Sequence, residues 1–366
     1  MAFVSHGLAR SVRVGPPLLG YPGGIMPDLM MERSTWDGEA LPRARGPFTE
    51  EMLGLLSGGV VRPTRATAPE DPLGDDDLHL ALYLAYETHY RGLPGVRDDL
   101  EWDPRVLAAR HAIEAMFEAG LRLAIGHREV EPADVADALR TIASPPGEDS
   151  LSTFVERDAT VEQAREFLVH RSAYQLKEAD PHSWVIPRLE GAAKTMVMEI
   201  QYDEYGSGDP AWMHSELFGS TMIAAGLDSS YGAYVDLLPG TTLATVNLIS
   251  LFGLHRRCRG ALIGHLAAFE MTSSLPNRGY GNGFRRLGFD AEARRFFDEH
   301  VVADSVHEVL ACDLAVEVAS SEPALAADIV WGAAVLALLE DRFSAALLQA
   351  WRAGNTTLLE GRAVPP

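Results

Sequence analysis

At 366 residues, with 47% hydrophobic and 8% aromatic content, the chain is long enough for one large core or two modest ones, and this composition excludes disorder for its bulk. Fifty-two acidic against thirty-one basic residues leave a formal charge of −21, which repels phosphate backbones and anionic bilayers, so neither nucleic acid nor membrane is expected as a partner. The only two cysteines, Cys258 and Cys312, exclude a disulfide framework and any thiolate-based zinc or iron–sulfur site, and they suit a reducing cytoplasm.

Residues 1–46 are rich in Pro and Gly and follow neither helical nor strand period, which predicts an irregular arm. The arm has basic residues but no sustained apolar core of signal-peptide type. A short helix comes next, then a loop-like stretch at 57–77. Residues 1–75 therefore read as an arm carrying one short helix, and residues 76–366 as a helical domain. From Leu78 onward apolar residues recur with helical period over 78–91, 105–126, 132–143, 160–179, 189–204, 210–226, 241–254, 258–273, 290–318 and 323–353. Pro181, Gly206, Pro210, Gly226, Pro239, Pro276 and Pro323 fall between these runs as stops. Strand-like alternation is nearly absent and no repeat of 20 to 50 residues is visible, so an all-α bundle is expected. Residues 279–283, GYGNG, follow no strand and open no βαβ unit, so they read as a glycine-rich turn and not as a dinucleotide loop. The longest uncharged apolar run, 329–339, is about half of the ~20 residues needed to span a bilayer. The helix at 323–353 belongs in the core and leaves room for a homodimer face.

The chemistry concentrates in six residues. His300, Asp304 and His307 form H-x3-D-x2-H within the 290–318 helix, and offsets of four and seven place three metal-competent groups on one face. Glu178 lies near the end of the 160–179 helix, Glu204 at the end of the next, and His214 at the start of a third. The glycines and proline of residues 205–210 let the chain reverse, so Glu204 and His214 can approach one metal. Bundle cores build metal sites in this way, from facing helices. Fe(II) accepts imidazole nitrogen and carboxylate oxygen, and six protein donors over two irons leave coordination positions open for dioxygen. Three carboxylates also offset most of the charge of two ferrous ions in a low-dielectric core.

The paired Glu-x-x-His motifs of ferritin-like di-iron proteins are missing; no Glu-x-x-His occurs anywhere in the chain. The donors follow E-x25-E-x9-H-x85-H-x3-D-x2-H instead. In this spacing, and in the blocks LYLAYETHYRG (82–92), YQLKEADPHSW (174–184), EIQYDEYGSG (199–208), LFGLHRRCRGALIGHLAAFEMTSS (251–274) and DEHVVADSVHE (298–308), the sequence resembles the haem-oxygenase-like di-iron oxidases, often called iron-containing redox enzymes. The resemblance covers roughly residues 78–355. It implies a haem-oxygenase-like bundle in which Glu178, Glu204, His214, His300, Asp304 and His307 hold two Fe(II) ions. Those ions would reduce dioxygen to a peroxo-diferric species with electrons from an external reductant. The spacing is most like that of the N-oxygenating members, so the expectation is N-oxygenation of the amine of an amino acid or similar small metabolite, in specialised biosynthesis. Members of the family also cleave carbon–carbon bonds, decarboxylate or desaturate amino and fatty acids, and that is the alternative; a non-enzymatic iron-binding protein with a vestigial site is the third.

Other polar residues have bland readings beside the functional ones. His265 and Glu270 read as outer partners that orient ligands, or as ordinary core hydrogen-bonding groups, and not as ligands. Glu87 and His89 are two apart, cannot share a helix face, and read as structural. Glu199, Asp203 and Glu308 flank candidate donors and read as solvated or salt-bridged acids, with completion of the second iron as the functional option. His255, Arg256, Arg257 and Arg259 read as ties between helices ahead of a substrate-carboxylate site. Arg171 and Lys194 sit on metal-bearing helices and could face a pocket, and Tyr174, one turn before Glu178, could hydrogen-bond a ligand.

Overall fold

The computed structural model describes residues 41–359 apart from Arg62, Arg65, His127, Pro145 and Pro146, and apart from the side chains of Asp304 and Ser305. The expected arm therefore lies, up to residue 40, outside the described residues. No β-strand occurs among the described residues, and the molecule is built from α-helices joined by short 3-10 turns.

Helix α1 (Pro47–Leu56) starts at a proline, and its free backbone N–H groups at Phe48 and Thr49 donate to the Asp77 carboxylate at 2.9 and 2.8 Å. Asp77 lies in the first turn of α2 (Asp76–Glu87), which Asp75 caps, so one carboxylate joins two helix starts, and Phe48, Met52 and Leu56 are buried where α1 packs on α2. Helices α3 (Pro104–Ala124), α4 (Val135–Ile142) and α5 (Leu151–Arg157) follow. At seven residues α5 is too short to register as a period, but Leu151 and Val155 are buried. A capping box between Thr160 and Gln163 opens α6 (Val161–Gln175). Then come α7 (Gly191–Glu204), α8 (His214–Ala224) and α9 (Gly240–Leu254).

Helix α10 (Arg259–Arg286) is the hub, packed on α5, on α11 (Arg295–Ser321) and on α12 (Ala326–Arg352). This overturns two expectations at once. The helix does not stop at Pro276, and the glycines of 279–283 form no turn; they are helical and face neighbours. A Cβ on Gly279 would sit 3.1 Å from the Ser152 carbonyl oxygen, and one on Gly283 would run into the Val155 carbonyl. The glycines let α5 press on the α10 backbone, and that burial outweighs one missing ladder bond at Pro276. Gly264 and Gly332 do the same for α10 and α12, each facing the other helix's backbone.

The stretch Pro323–Arg352 is long and apolar enough to cross a bilayer by composition, but 56% of its apolar window is buried in the bundle, as for a core helix. The basic residues after α9 tie helices together: His255 Nε2 lies 3.0 Å from Glu114, Arg257 makes paired bonds to Glu118 at 2.9 and 2.6 Å, and Arg259 pairs with Glu322.

Candidate metal centre

Four helices and one turn converge on a buried cluster of carboxylates and imidazoles. Glu178 does not sit on α6, as its periodic surroundings led us to expect. The helix ends at Gln175, and Glu178 follows on a turn in which Ala179 takes φ 72°. Pro181 forbids helix propagation there and the left-handed residue redirects the chain. Glu204 is the last residue of α7 and His214 the first of α8. Between them Gly206 and Gly208 have φ of 72° and 91°, and a Cβ on Gly206 would meet the Met213 nitrogen at 2.6 Å. The reversal expected from the glycines therefore occurs, closed by an antiparallel bridge between Tyr205 and Met213, and it sets His214 Nδ1 2.9 Å from Glu204 Oε2.

Helix α11 brings His300 and His307 to the same place, seven residues and two turns apart. His300 Nδ1–H donates to the Phe296 carbonyl at 2.8 Å, which turns Nε2 toward Glu178 Oε1 at 3.5 Å. Its ring lies 4.3 Å from that of His214. His307 Nδ1 faces Glu270 Oε2 at 3.3 Å and Glu204 Oε1 at 3.6 Å, while Nε2 is 3.3 Å from Asp203 Oδ2. Asp304 lies on α11 between them, but its side chain is outside the described residues.

The donors sort into two buried groups, Glu178 with His214 and His300, and Glu204 with Glu270 and His307. Glu204 connects them, with one oxygen toward His214 and the other toward His307. Glu270 departs from the sequence reading, which has it as an outer partner or an ordinary core group and not among the donors. It is 4% exposed on α10 and stands within the second group. The available signal was an acid inside the apolar run AAFEM, because a glutamate on a buried face requires a partner. Its companion His265 takes the bland role, with Nδ1 3.2 Å from His182 Nε2.

Without a metal the cluster is electrostatically uncomfortable. Burial raises the pKa of Glu178, opposed by His300; burial also raises Glu204 and Glu270. Burial would lower His307, but Glu270, Glu204 and Asp203 override it and lift the imidazole to about 9. Glu178 Oε2 has no hydrogen-bond partner among the described residues. Buried carboxylates and imidazoles that face one another, one with an orphaned oxygen, fit divalent cations of Fe(II) type, which would replace the protons now shared among them.

Beside the cluster lies a narrow cavity with about 20 Å³ of free volume, lined by Arg171, Tyr174, Thr245, His265, Phe269 and Glu340 among others. Tyr174 packs edge-on against Phe269 with 5.5 Å between ring centroids, and both line the cavity, Phe269 next to Glu270 in the chain and Tyr174 four residues before Glu178. Arg171 does face this pocket, paired with Glu340 at 2.9 and 2.7 Å. Lys194 is half-buried on α7, outside that lining. Glu199 and Glu308 are exposed, consistent with ordinary surface acids. Glu87 and His89 stand in neither donor group: Glu87 pairs with Lys177, and His89 Nδ1 lies 3.0 Å from Glu101.

The family model of the iron-containing redox enzymes matches residues 165–341, a stretch that holds both donor groups and all of the cavity lining but Phe343. No curated protein matches the chain.

Proposed function

We propose that this chain, whose residues 165–341 match the family model of the iron-containing redox enzymes, binds two Fe(II) ions and uses dioxygen to N-oxygenate the amine of an amino acid or a related small metabolite. The observation that carries this reading is the pair of buried donor groups joined through Glu204. Glu178, His214 and His300 would hold one ion, Glu270 and His307 the other, and Glu204 both, with Asp304 as a further donor. Bound, the two ferrous ions supply the electrons that activate dioxygen. The balance is that of a monooxygenase: one oxygen atom enters an N–H bond as N–OH, and the other leaves as water with two protons and two electrons from an external donor.

The protein's own groups supply orientation and exclusion of water. Asp203 holds His307 by its outer nitrogen and Phe296 holds His300 by its own, so both rings present a fixed edge inward. Tyr174 and Phe269 line the cavity with packed aromatic rings, which keep bulk water from it. Arg171, now paired with Glu340, offers a guanidinium at the cavity lining, the complement of a substrate carboxylate. The cavity takes only a water-sized volume, so a substrate would have to part Arg171 from Glu340, with Arg171 then taking its carboxylate and its amine left free toward the donors.

The test is an anaerobic ferrous titration followed by oxygen-uptake measurements over a panel of amino acids and amines, with product masses. Two irons per chain, faster uptake with one amine and a product heavier by one oxygen on nitrogen are expected. Loss of carbon dioxide, formaldehyde or ammonia would replace N-oxygenation by oxidative cleavage at the same site. Iron binding with no substrate-dependent uptake would leave an iron-binding protein.

A further inference from the structure

The residues that flank Glu178 are each held from outside. The Leu176 carbonyl accepts from Arg91 Nη2 at 2.8 Å, and Lys177 Nζ is ion-paired with Glu87 Oε1, both side chains being fully buried. The Ala179 carbonyl accepts from Gln201 Nε2 at 3.0 Å, and Asp180 Oδ1 accepts from the Tyr205 hydroxyl at 2.8 Å. Glu178 itself has no such tether; its nearest ionic contact is His300, and Oε2 has no hydrogen-bond partner among the described residues. Ala179 sits at φ 72°, where a residue with a Cβ is strained by about 1 kcal/mol or more, and such a conformation persists only where its surroundings over-determine it.

The Lys177–Glu87 pair is the unexpected part. Taking two charges out of water is costly, and a well-packed apolar pair would serve stability as well or better. Here the charges are fully partnered: the Tyr231 hydroxyl donates to Glu87 Oε2 at 2.6 Å, and the Lys177 ammonium lies 5.0 and 4.4 Å from the ring centroids of Tyr83 and Tyr90. What an ion pair provides and an apolar contact does not is a fixed register between α2 and the turn. Glu87 lies in the block LYLAYETHYRG and Lys177 in YQLKEADPHSW, so the pair gives a role to residues of both that the donor set leaves unexplained.

We infer that Glu87, Lys177 and Gln201 are positioning residues, which clamp the turn at 176–180 so that the Glu178 carboxylate points at His214 and His300. The inference rests on the reading of Glu178 as a metal ligand. One peptide bond separates Lys177 from Glu178, so a shift of about 1 Å in the backbone of the turn moves the carboxylate with it, enough to spoil a coordination geometry.

The experiment is a cobalt(II) titration of the full chain, followed by visible absorption and by chelator competition, with thermal melts of the metal-free protein alongside. Glu178→Ala should lose one of two cobalt ions. The double variant Glu87→Leu with Lys177→Met should melt at or above the parent temperature yet bind that one ion 10- to 100-fold more weakly, with an altered cobalt band. Gln201→Met should shift affinity and band in the same direction, and it decides the matter if the double variant does not fold. If Glu178→Ala loses an ion while the folded variants bind with parental affinity and spectrum, the network is structural and the inference is wrong. If Glu178→Ala binds both ions like the parent, the ligand reading falls and takes the inference with it.

Discussion

Glu204 is the residue on which the two-metal reading turns. Its Oε2 is 2.9 Å from His214 and its Oε1 3.6 Å from His307, so it reaches donors of both groups, whereas Glu178 and Glu270 each stand in one. Consider Glu204→Gln, which keeps shape and removes one charge. A unit charge about 4 Å from another is worth about 4 kcal/mol at an effective dielectric of 20, or roughly three powers of ten in Kd. Glu178→Gln or Glu270→Gln should therefore weaken one ion by about a thousandfold and leave the other within about tenfold of the parent. Glu204→Gln should weaken both by about that factor. Anaerobic equilibrium dialysis against Fe(II), with iron counted per chain, reads this directly. A Glu204→Gln protein that keeps one ion at parental affinity would refute the argument, because the carboxylate would then serve a single metal.

Three further outcomes are expected. His307 is raised from 6.5 to about 9 in the metal-free fold, so it contributes stability that is complete below pH 6.5 and lost as pH rises through 9, on the order of 3 kcal/mol. Chelator-treated protein should thus melt at progressively lower temperature between those values, while iron affinity rises over the same window; a melting temperature independent of pH would contradict the His307 environment. Gly283→Ala places a methyl against the Val155 carbonyl and should destabilise by about 1–3 kcal/mol in urea unfolding, with iron stoichiometry unchanged; a neutral effect would mean that α5 yields freely. Arg171→Met should raise the KM of a zwitterionic substrate more than tenfold while iron binding stays intact, and an unchanged KM would remove Arg171 from substrate recognition.

The helical class was legible because it is written in local period: apolar residues at helical spacing, punctuated by prolines and glycines, recur through most of the chain, and α11 displays His300 and His307 on one face by geometry alone. The Glu204–His214 approach was legible for a similar reason, since Gly206 and Gly208 permit the tight reversal that brings them together. Period cannot distinguish a glycine that breaks a helix from one that admits a neighbouring backbone. Gly279 and Gly283 therefore read as a turn in the sequence, although each lies against the backbone of α5. Nor does period reveal what stands opposite an isolated acid. Glu270 joins the second group because α10 and α11 pack side by side, and Glu87 meets Lys177 ninety residues away because α2 lies beside the turn after α6. Local residue pattern determined which segments are helices and which side chains can bind a metal; long-range packing decided how those side chains group, because burial and register between helices depend on partners distant in the chain.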